Sequence, residues 1–302
     1  MTTTVSSPAG APRRSWPRRV SAVLHARPRL RLAGLLSVPA AWLLVAYLGS
    51  LAVMFAAAFW SVDSFTGALV HEFTLDNLRT LVTEDVYRAI FLRTVGIAAA
   101  VTVIDAVIAV PMAFYMAKVA SPRARVYLVV AVLTPLWASY LVKAYAWRGL
   151  LAPEGLLTDV LRPVGLSAPG YGVTAVVLTL AYLWLPYMIL PIYAGLDRLP
   201  DSLLEASADL GGGAWRTFRS VVLPLLFPAI VAGSIFTFSL SLGDYIAVKI
   251  VGGTTQMIAN VIYDNIGVAG NLPFAAATAF LPVAVIIVYL VLVRRTGALD
   301  NL

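Results

Sequence analysis

The sequence predicts an all-α membrane protein with about six spanning helices and both termini on the cytoplasmic side. Three observations point there. Of 302 residues, 60% are hydrophobic and only 12% are charged, with a mean hydropathy of +0.87, a balance foreign to an ordinary soluble domain. The apolar residues come in runs at or above the ~20 residues that a helix needs to cross the hydrocarbon core. The Lys and Arg residues sit at the ends of those runs, unevenly between alternate loops.

Residues 1–32, rich in Ser, Thr, Pro and Arg (Arg13, Arg14, Arg18, Arg19, Arg27, Arg29 and Arg31), are too polar to build a core and read as a disordered or surface-lying cytoplasmic tail. The run from Leu32 to about Trp60 exceeds both spanning length and the roughly 7–15 apolar residues of a signal-peptide core, so it reads as a retained first helix. Ala56, Ala57 and Ala58 resemble a cleavage site only weakly. The outer loop from Ser61 to Ala89 is long enough for a short interfacial helix. Further spans are expected at about Ile90–Ala117, Val126–Trp147, Gly172–Leu196, Leu223–Val248 and Pro273–Val293. Backbone groups in hydrocarbon must pair within their own segment, which makes these runs helices. Prolines inside them (Pro111, Pro135, Pro186, Pro191, Pro228 and Pro282) predict kinks. The membrane domain is thus expected over residues 33–295, followed by a cytoplasmic tail at 296–302.

Charge sets the orientation. With the N-terminal tail inside, Lys118, Arg123, Arg125, Arg198, Arg216, Arg219, Arg294 and Arg295 fall on the same side. The other side receives Arg79, Arg88, Arg93, Lys143, Arg148, Arg162 and Lys249, diluted by acidic residues such as Asp76, Glu84, Glu154 and Asp264.

Several functions lack their residues. The net charge of +7 is not gathered on one element with interleaved aromatics, as nucleic-acid binding requires. With no cysteine there is no disulfide framework or thiolate chemistry, and His25 and His71 are too far apart in the chain to suggest a metal pair. The glycine run Gly211–Gly213 is followed by Ala214 and Trp215, so it lacks the lysine and hydroxyl of a phosphate-binding loop. Neither HExxH nor GxSxG occurs. A membrane enzyme is the rival class, separable by activity of the isolated chain.

The stretch 197–224 is the one extended amphipathic segment at a membrane boundary, and it reads as two short helices around a glycine turn. Pro200, Asp201 and Ser202 supply helix-start chemistry, and Asp201 and Glu205 suit the end where the macrodipole favours negative charge. Leu203, Leu204, Ala208 and Leu210 can then face a neighbour. Gly211, Gly212 and Gly213 permit a reversal that side chains would block. A second amphipathic segment, Trp215–Val222, leads into Leu223 and Pro224. An interfacial helix touching only lipid would share the Trp and Arg residues, though not the spacing that follows.

Glu205–Ala206–Ser207, then three residues, Gly211, nine residues, Val221, one residue and Leu223–Pro224 resembles the cytoplasmic signature of binding-protein-dependent ABC importer permeases. Ser207 and Val221 replace the usual Ala and Ile. The resemblance implies the type I importer permease fold, no catalysis on this chain, and a coupling role for Glu205, Ala206, Ser207, Asp209, Gly211, Leu223 and Pro224. It also implies partners: an ABC ATPase dimer that binds ATP and Mg, a second and non-identical permease, and an extracytoplasmic solute-binding protein. No cofactor is expected on this chain.

Charged residues inside spans are default functional candidates. Asp105 lies near the middle of the second run, and Asp244 toward the outer end of the fifth, within Leu242–Gly243–Asp244–Tyr245. Structural pairing of Asp244 with Lys143 or Lys249 is the competing reading. An aspartate beside Tyr245, with Tyr140, Tyr145 and Trp147 from the third run, offers a cation both charge and ring faces. Tyr140–Arg148, Gly155–Leu157, Leu242–Tyr245, Gly252–Gly253 and Met257–Asn260 resemble the spermidine/putrescine permeases, with Lys143 where that family usually carries Arg. The implied cargo is a polyamine. An amino acid or opine stays open, as does a passive channel or secondary transporter that needs no ATPase.

Overall fold

The computed structural model describes residues 28–63 and 65–295, so residues 1–27 of the tail expected at 1–32, and the tail expected at 296–302, lie outside the described residues, while residues 28–32 are helical rather than tail. The chain divides into two units, one ending at Ala56 and the other beginning at Ala57.

In the first unit the expected first helix is present as α1 (Pro28–Trp42), a π-helical stretch (Leu43–Leu48) and α2 (Gly49–Ala57, whose last residue belongs to the second unit). Leu36–Ala57 is long and apolar enough to cross a membrane, and most of its side chains are exposed.

The second unit opens with a small hairpin, β1 (Ser61–Val62) and β2 (Leu69–Val70), paired antiparallel with Ser61 opposite Val70. The Asp63 carboxylate closes its turn by accepting from the Thr66 N–H at 2.7 Å, the Thr66 hydroxyl and the Phe65 N–H. Those bonds hold the carboxyl below the usual aspartate range. A short helix does occur in the expected loop, α3 (Asp76–Thr83), tied to the hairpin base by the Asn77 amide, which donates to the carbonyls of Ala58 at 3.0 Å and Trp60 at 2.8 Å.

The remaining spans are α4 (Asp85–Phe114, continued by a π-helical turn at Tyr115–Val119), α8 (Val173–Asp197), α11 (Leu223–Leu242) and α14 (Leu272–Arg295). With the first unit's helix they make five candidate spans among the described residues. Between α4 and α8 lie α5 (Pro122–Trp137), α6 (Tyr140–Leu151) and the short α7 (Leu156–Leu161).

Two expected spans are corrected. The third run is not one helix from Val126 to Trp147 but α5 and α6, bent by 96°. The break has a local cause: Ala138 and Ser139 are extended, with ψ of 142° and 135°, two residues after the turn containing Pro135. The Lys143 ammonium then caps the Pro135 carbonyl at 3.0 Å, one of the orphan acceptors of the α5 terminus. The fifth run likewise ends at Leu242 rather than Val248. After Gly243 and Asp244 the chain restarts as α12 (Ile246–Val251), followed by α13 (Ile258–Gly267). The remaining prolines produce no break of comparable size among the described residues.

Helix α8 is the centre, packed against α4 and α11. Small residues let α11 close on it: a Cβ at Gly233 would lie 3.1 Å from the Met188 Cα, and one at Gly195 would lie 2.9 Å from the Ala229 Cβ. The interior forms two large clusters along the bundle. One joins Ile97 and Val101 to Val176, Leu180, Leu183 and α12. The other joins Ala109, Ala113 and Met116 to Met188, Ile192, Leu196 and Leu226. Cross-ties at the hairpin end reinforce the first: the Thr94 hydroxyl accepts from the Ile258 N–H at 2.9 Å, and the Gly172 N–H donates to the Val251 carbonyl at 3.1 Å.

Candidate coupling and translocation sites

The loop end of the bundle carries the segment 197–224. Its first helix is α9 (Asp201–Asp209), opened by Pro200 and with Asp201 in the first turn, as the helix-start chemistry requires. The second is a single turn, α10 (Ala214–Thr217), running through a π-helical turn at Phe218–Val222 into α11, where Pro224 occupies the first turn. Gly211 makes the reversal with φ +75°, a left-handed conformation that side chains rarely adopt. Gly212 is needed for a different reason, since a Cβ there would sit 2.6 Å from the Ser207 carbonyl oxygen and 2.7 Å from its hydroxyl.

Ser207, which replaces the customary alanine, adds a bond. Its hydroxyl lies 2.8 Å from that of Thr217, and its carbonyl accepts from the Gly212 N–H at 2.8 Å, so α9 and α10 are held as one piece. The outer surface is open: Glu205, Ala206 and Asp209 are exposed, as are Leu223 and Pro224, and Leu210 and Trp215 are 89% and 72% exposed. Leu204 instead packs on the core cluster beneath. The loop therefore presents an exposed face with an acidic and an apolar component.

At the hairpin end, Asp244 fills the gap between α11 and α12. Its carboxylate accepts from the Tyr140 hydroxyl and from the Ala247 N–H, the latter at 2.9 Å, which caps α12 and pins it to the start of α6. Neither Lys143 nor Lys249 pairs with it. Lys143 is on the Pro135 carbonyl, and Lys249 bridges to Asp264 at 2.6 Å. Tyr245 stacks on Tyr263 at 4.8 Å, and the chain's own Lys249 sits 3.9 Å over the Tyr263 ring. Tyr145 and Trp147 line a separate groove of about 720 Å³ with Lys143 and Tyr182. Trp147 and Tyr182 are in ring contact at 5.4 Å.

Asp105 is not part of that group. It lies in mid-α4, fully buried, and neither carboxylate oxygen has a hydrogen-bond partner among the described residues. Its chain neighbours Ile104 and Ala106 pack on different core clusters, so Asp105 marks the seam between them. Of the three glycines expected to permit the reversal and close approach, Gly211 makes the turn and Gly212 the close approach, while a Cβ at Gly213 would meet nothing within 4 Å; the residues that the sequence reading missed are the Tyr182, Trp184 and Tyr187 ring series of α8, which pairs with Trp147, Tyr140 and Phe236.

The second unit is thus a set of packed apolar helices of spanning length with an exposed two-helix loop at one end. Residues 10–297 match the family described as binding-protein-dependent transport system inner membrane component, and the chain belongs to it. It is a multi-pass protein of the bacterial inner membrane with the fold of ABC importer permeases. It is 44% identical over 299 residues to the inner membrane ABC transporter permease protein YdcU of Escherichia coli, covering 94% of this chain and 95% of that protein. It is 32% identical over 211 residues to the spermidine/putrescine transport system permease protein PotB of Haemophilus influenzae, covering 68% and 73%. Among solved structures, a chain of a bacterial ABC transporter that imports the acidic polysaccharide alginate superposes with a TM-score of 0.68 over 92% of this chain and 98% of that one, at 16% identity. A chain of the MetNI methionine ABC transporter gives 0.56 over 74% and 97%, at 17% identity.

Proposed function

We propose that this permease forms half of the channel of an ATP-driven importer for a polyamine, delivered by an extracytoplasmic binding protein. Both termini and the loop 197–224 then face the cytoplasm, where the excess of basic residues lies. An ATPase dimer carries ATP and Mg, this chain carries no cofactor, and a second, non-identical permease completes the pore. The observation that carries the reading is the rigid exposed loop: Glu205, Ala206, Ser207, Asp209 and Gly211 form its partner face, and Leu223–Pro224 feed its displacement into α11. A helix pair locked by the Ser207 and Thr217 hydroxyls transmits a push that a floppy loop would absorb.

The polyamine assignment draws on the similarity to PotB and on the chemistry of the hairpin end. Asp244 supplies a carboxylate within reach of ring faces at Tyr140 and Tyr245, and Tyr145 and Trp147 line the neighbouring groove. A primary ammonium replaces the Tyr140 hydroxyl on Asp244 as it passes, and Asp105 is the next carboxylate inward, reached when the seam between the two core clusters opens. The test is uptake into cells carrying the whole transporter, competed with putrescine, spermidine, amino acids and sugars, with Asp244→Asn as the variant. Competition by polyamines alone, and at least a tenfold loss of uptake in Asp244→Asn with the protein still inserted, is the expected outcome. Competition by an amino acid or opine instead replaces the cargo and leaves the coupling reading standing.

A further inference from the structure

Three basic contacts at the loop end join helices that the chain itself does not connect there. The Lys118 side chain is only 10% exposed, and its ammonium donates to the Leu199 carbonyl at 2.7 Å and to Asp201 Oδ1 at 2.7 Å. Arg125 donates to Asp197 Oδ1 at 3.1 Å and, with its other terminal nitrogen, to the Ala117 carbonyl at 2.5 Å. Asp197 ends α8, Leu199 lies in the turn and Asp201 begins α9. Lys118 belongs to the π-helical turn that ends the α4 span, and Arg125 to the first turns of α5.

The local sequence explains why these groups are free to bond. The Ala120 N–H reaches back five residues to the Tyr115 carbonyl at 2.8 Å, so the wide turn is complete. The Ala117 carbonyl is among the terminal acceptors of that helix, and Pro122 has no N–H to offer it. Arg125 supplies the missing donor. Beneath the two cations, Leu199 is buried in one apolar cluster with Met116, Ala117, Val132 and Leu196, so the corner rests on both α4 and α5. An exposed ion pair contributes little by itself. Here the lysine is sheltered and shared between a backbone carbonyl and a carboxylate, so deleting it leaves the sheltered carbonyl unpaired.

We propose that Lys118 and Arg125 are positioning residues that clasp the inner ends of α4 and α5 to the α8–α9 corner, so that displacement of α9 by the ATPase moves those spans together with α11. This rests on the coupling reading of residues 197–224. Without the clasp, α9 pulls on α8 and α11 through the chain alone, and ATP is hydrolysed with little transport.

The chain has no cysteine, which allows a reporter pair, Ser121→Cys and Ser202→Cys, one on each side of the clasp. In the assembled transporter, spin labels there should keep one distance between nucleotide-free and ATP-bound states. With Lys118→Met added, the distance should vary with nucleotide and putrescine uptake per ATP should fall about tenfold, while Lys118→Arg restores both. An unchanged distance and an unchanged uptake-to-ATP ratio in Lys118→Met overturn the proposal, as does a Lys118→Arg variant as defective as Lys118→Met. Should Lys118→Met fail to insert, Asp197→Asn and Asp201→Asn carry the same two readouts. Glu205→Lys separates the two levels. If it leaves the ATPase bound and uptake intact, the coupling reading itself is wrong; if it releases the ATPase while Lys118→Met changes nothing, only the clasp is.

Discussion

Replacing Gly212 by alanine tests the loop geometry independently of the cargo. The added methyl carbon would lie 2.6 Å from the Ser207 carbonyl oxygen, 2.7 Å from its hydroxyl and 3.2 Å from the Thr217 hydroxyl. Two of these contacts are well inside ordinary van der Waals distance, and the Ser207 carbonyl is backbone, so α9 and α10 must separate. The Gly212 N–H to Ser207 bond and the hydroxyl pair, both at 2.8 Å, are then lost. At about 0.5–1.5 kcal/mol per bond the loop loses roughly 1–3 kcal/mol, which lowers the population of its locked form by a factor of about 5 to 150. Arg216 and Arg219 are exposed, so trypsin applied to inside-out vesicles reports the change directly. Cleavage there should accelerate by at least fivefold and uptake should fall in parallel, while the spanning helices keep their thermal midpoint. Gly212→Ala with wild-type cleavage and wild-type uptake would refute the close approach.

Two further outcomes follow from buried groups in α4. Thr94→Val removes the acceptor of the Ile258 N–H at 2.9 Å and leaves a buried donor unpaired, so the detergent-solubilised protein should lose about 1–3 kcal/mol of stability, with hydrogen exchange faster at the start of α13. Equal stability and exchange would show that the tie is inert. Asp105→Asn keeps the shape of a side chain whose oxygens have no partner among the described residues, and removes an ionisable group from the buried interior, so thermal stability should hold or rise. A fall of more than ~1 kcal/mol would mean that the carboxylate is paired in the membrane.

The sequence reading reached the element types because its two strongest signals are local. Apolar runs of spanning length left a helix as the only conformation that satisfies its own backbone, and α4, α8 and α14 stand within a few residues of their expected bounds. The spacing from Glu205 to Pro224 located the loop for a similar reason, since helix starts, glycine turns and proline positions are each set within one or two residues. Hydropathy failed at Ala138–Ser139 and Gly243–Asp244. Both breaks lie inside apolar stretches, where the Lys143 ammonium meets the Pro135 carbonyl and the Asp244 carboxylate, itself held by Tyr140, meets the Ala247 N–H.

Residence in the bilayer, the number of apolar runs and the place of the exposed loop are thus properties of the sequence alone, because each depends on residues adjacent in the chain. What Asp244 and Asp105 do was decided by the tertiary structure. One is held by a tyrosine hydroxyl more than a hundred positions away and the other is sealed between two core clusters, and no local pattern records a partner brought close only when α6, α8 and α12 pack. The same holds for Lys118 and Arg125, which read as ordinary inside-facing bases until folding set them against the α8–α9 corner.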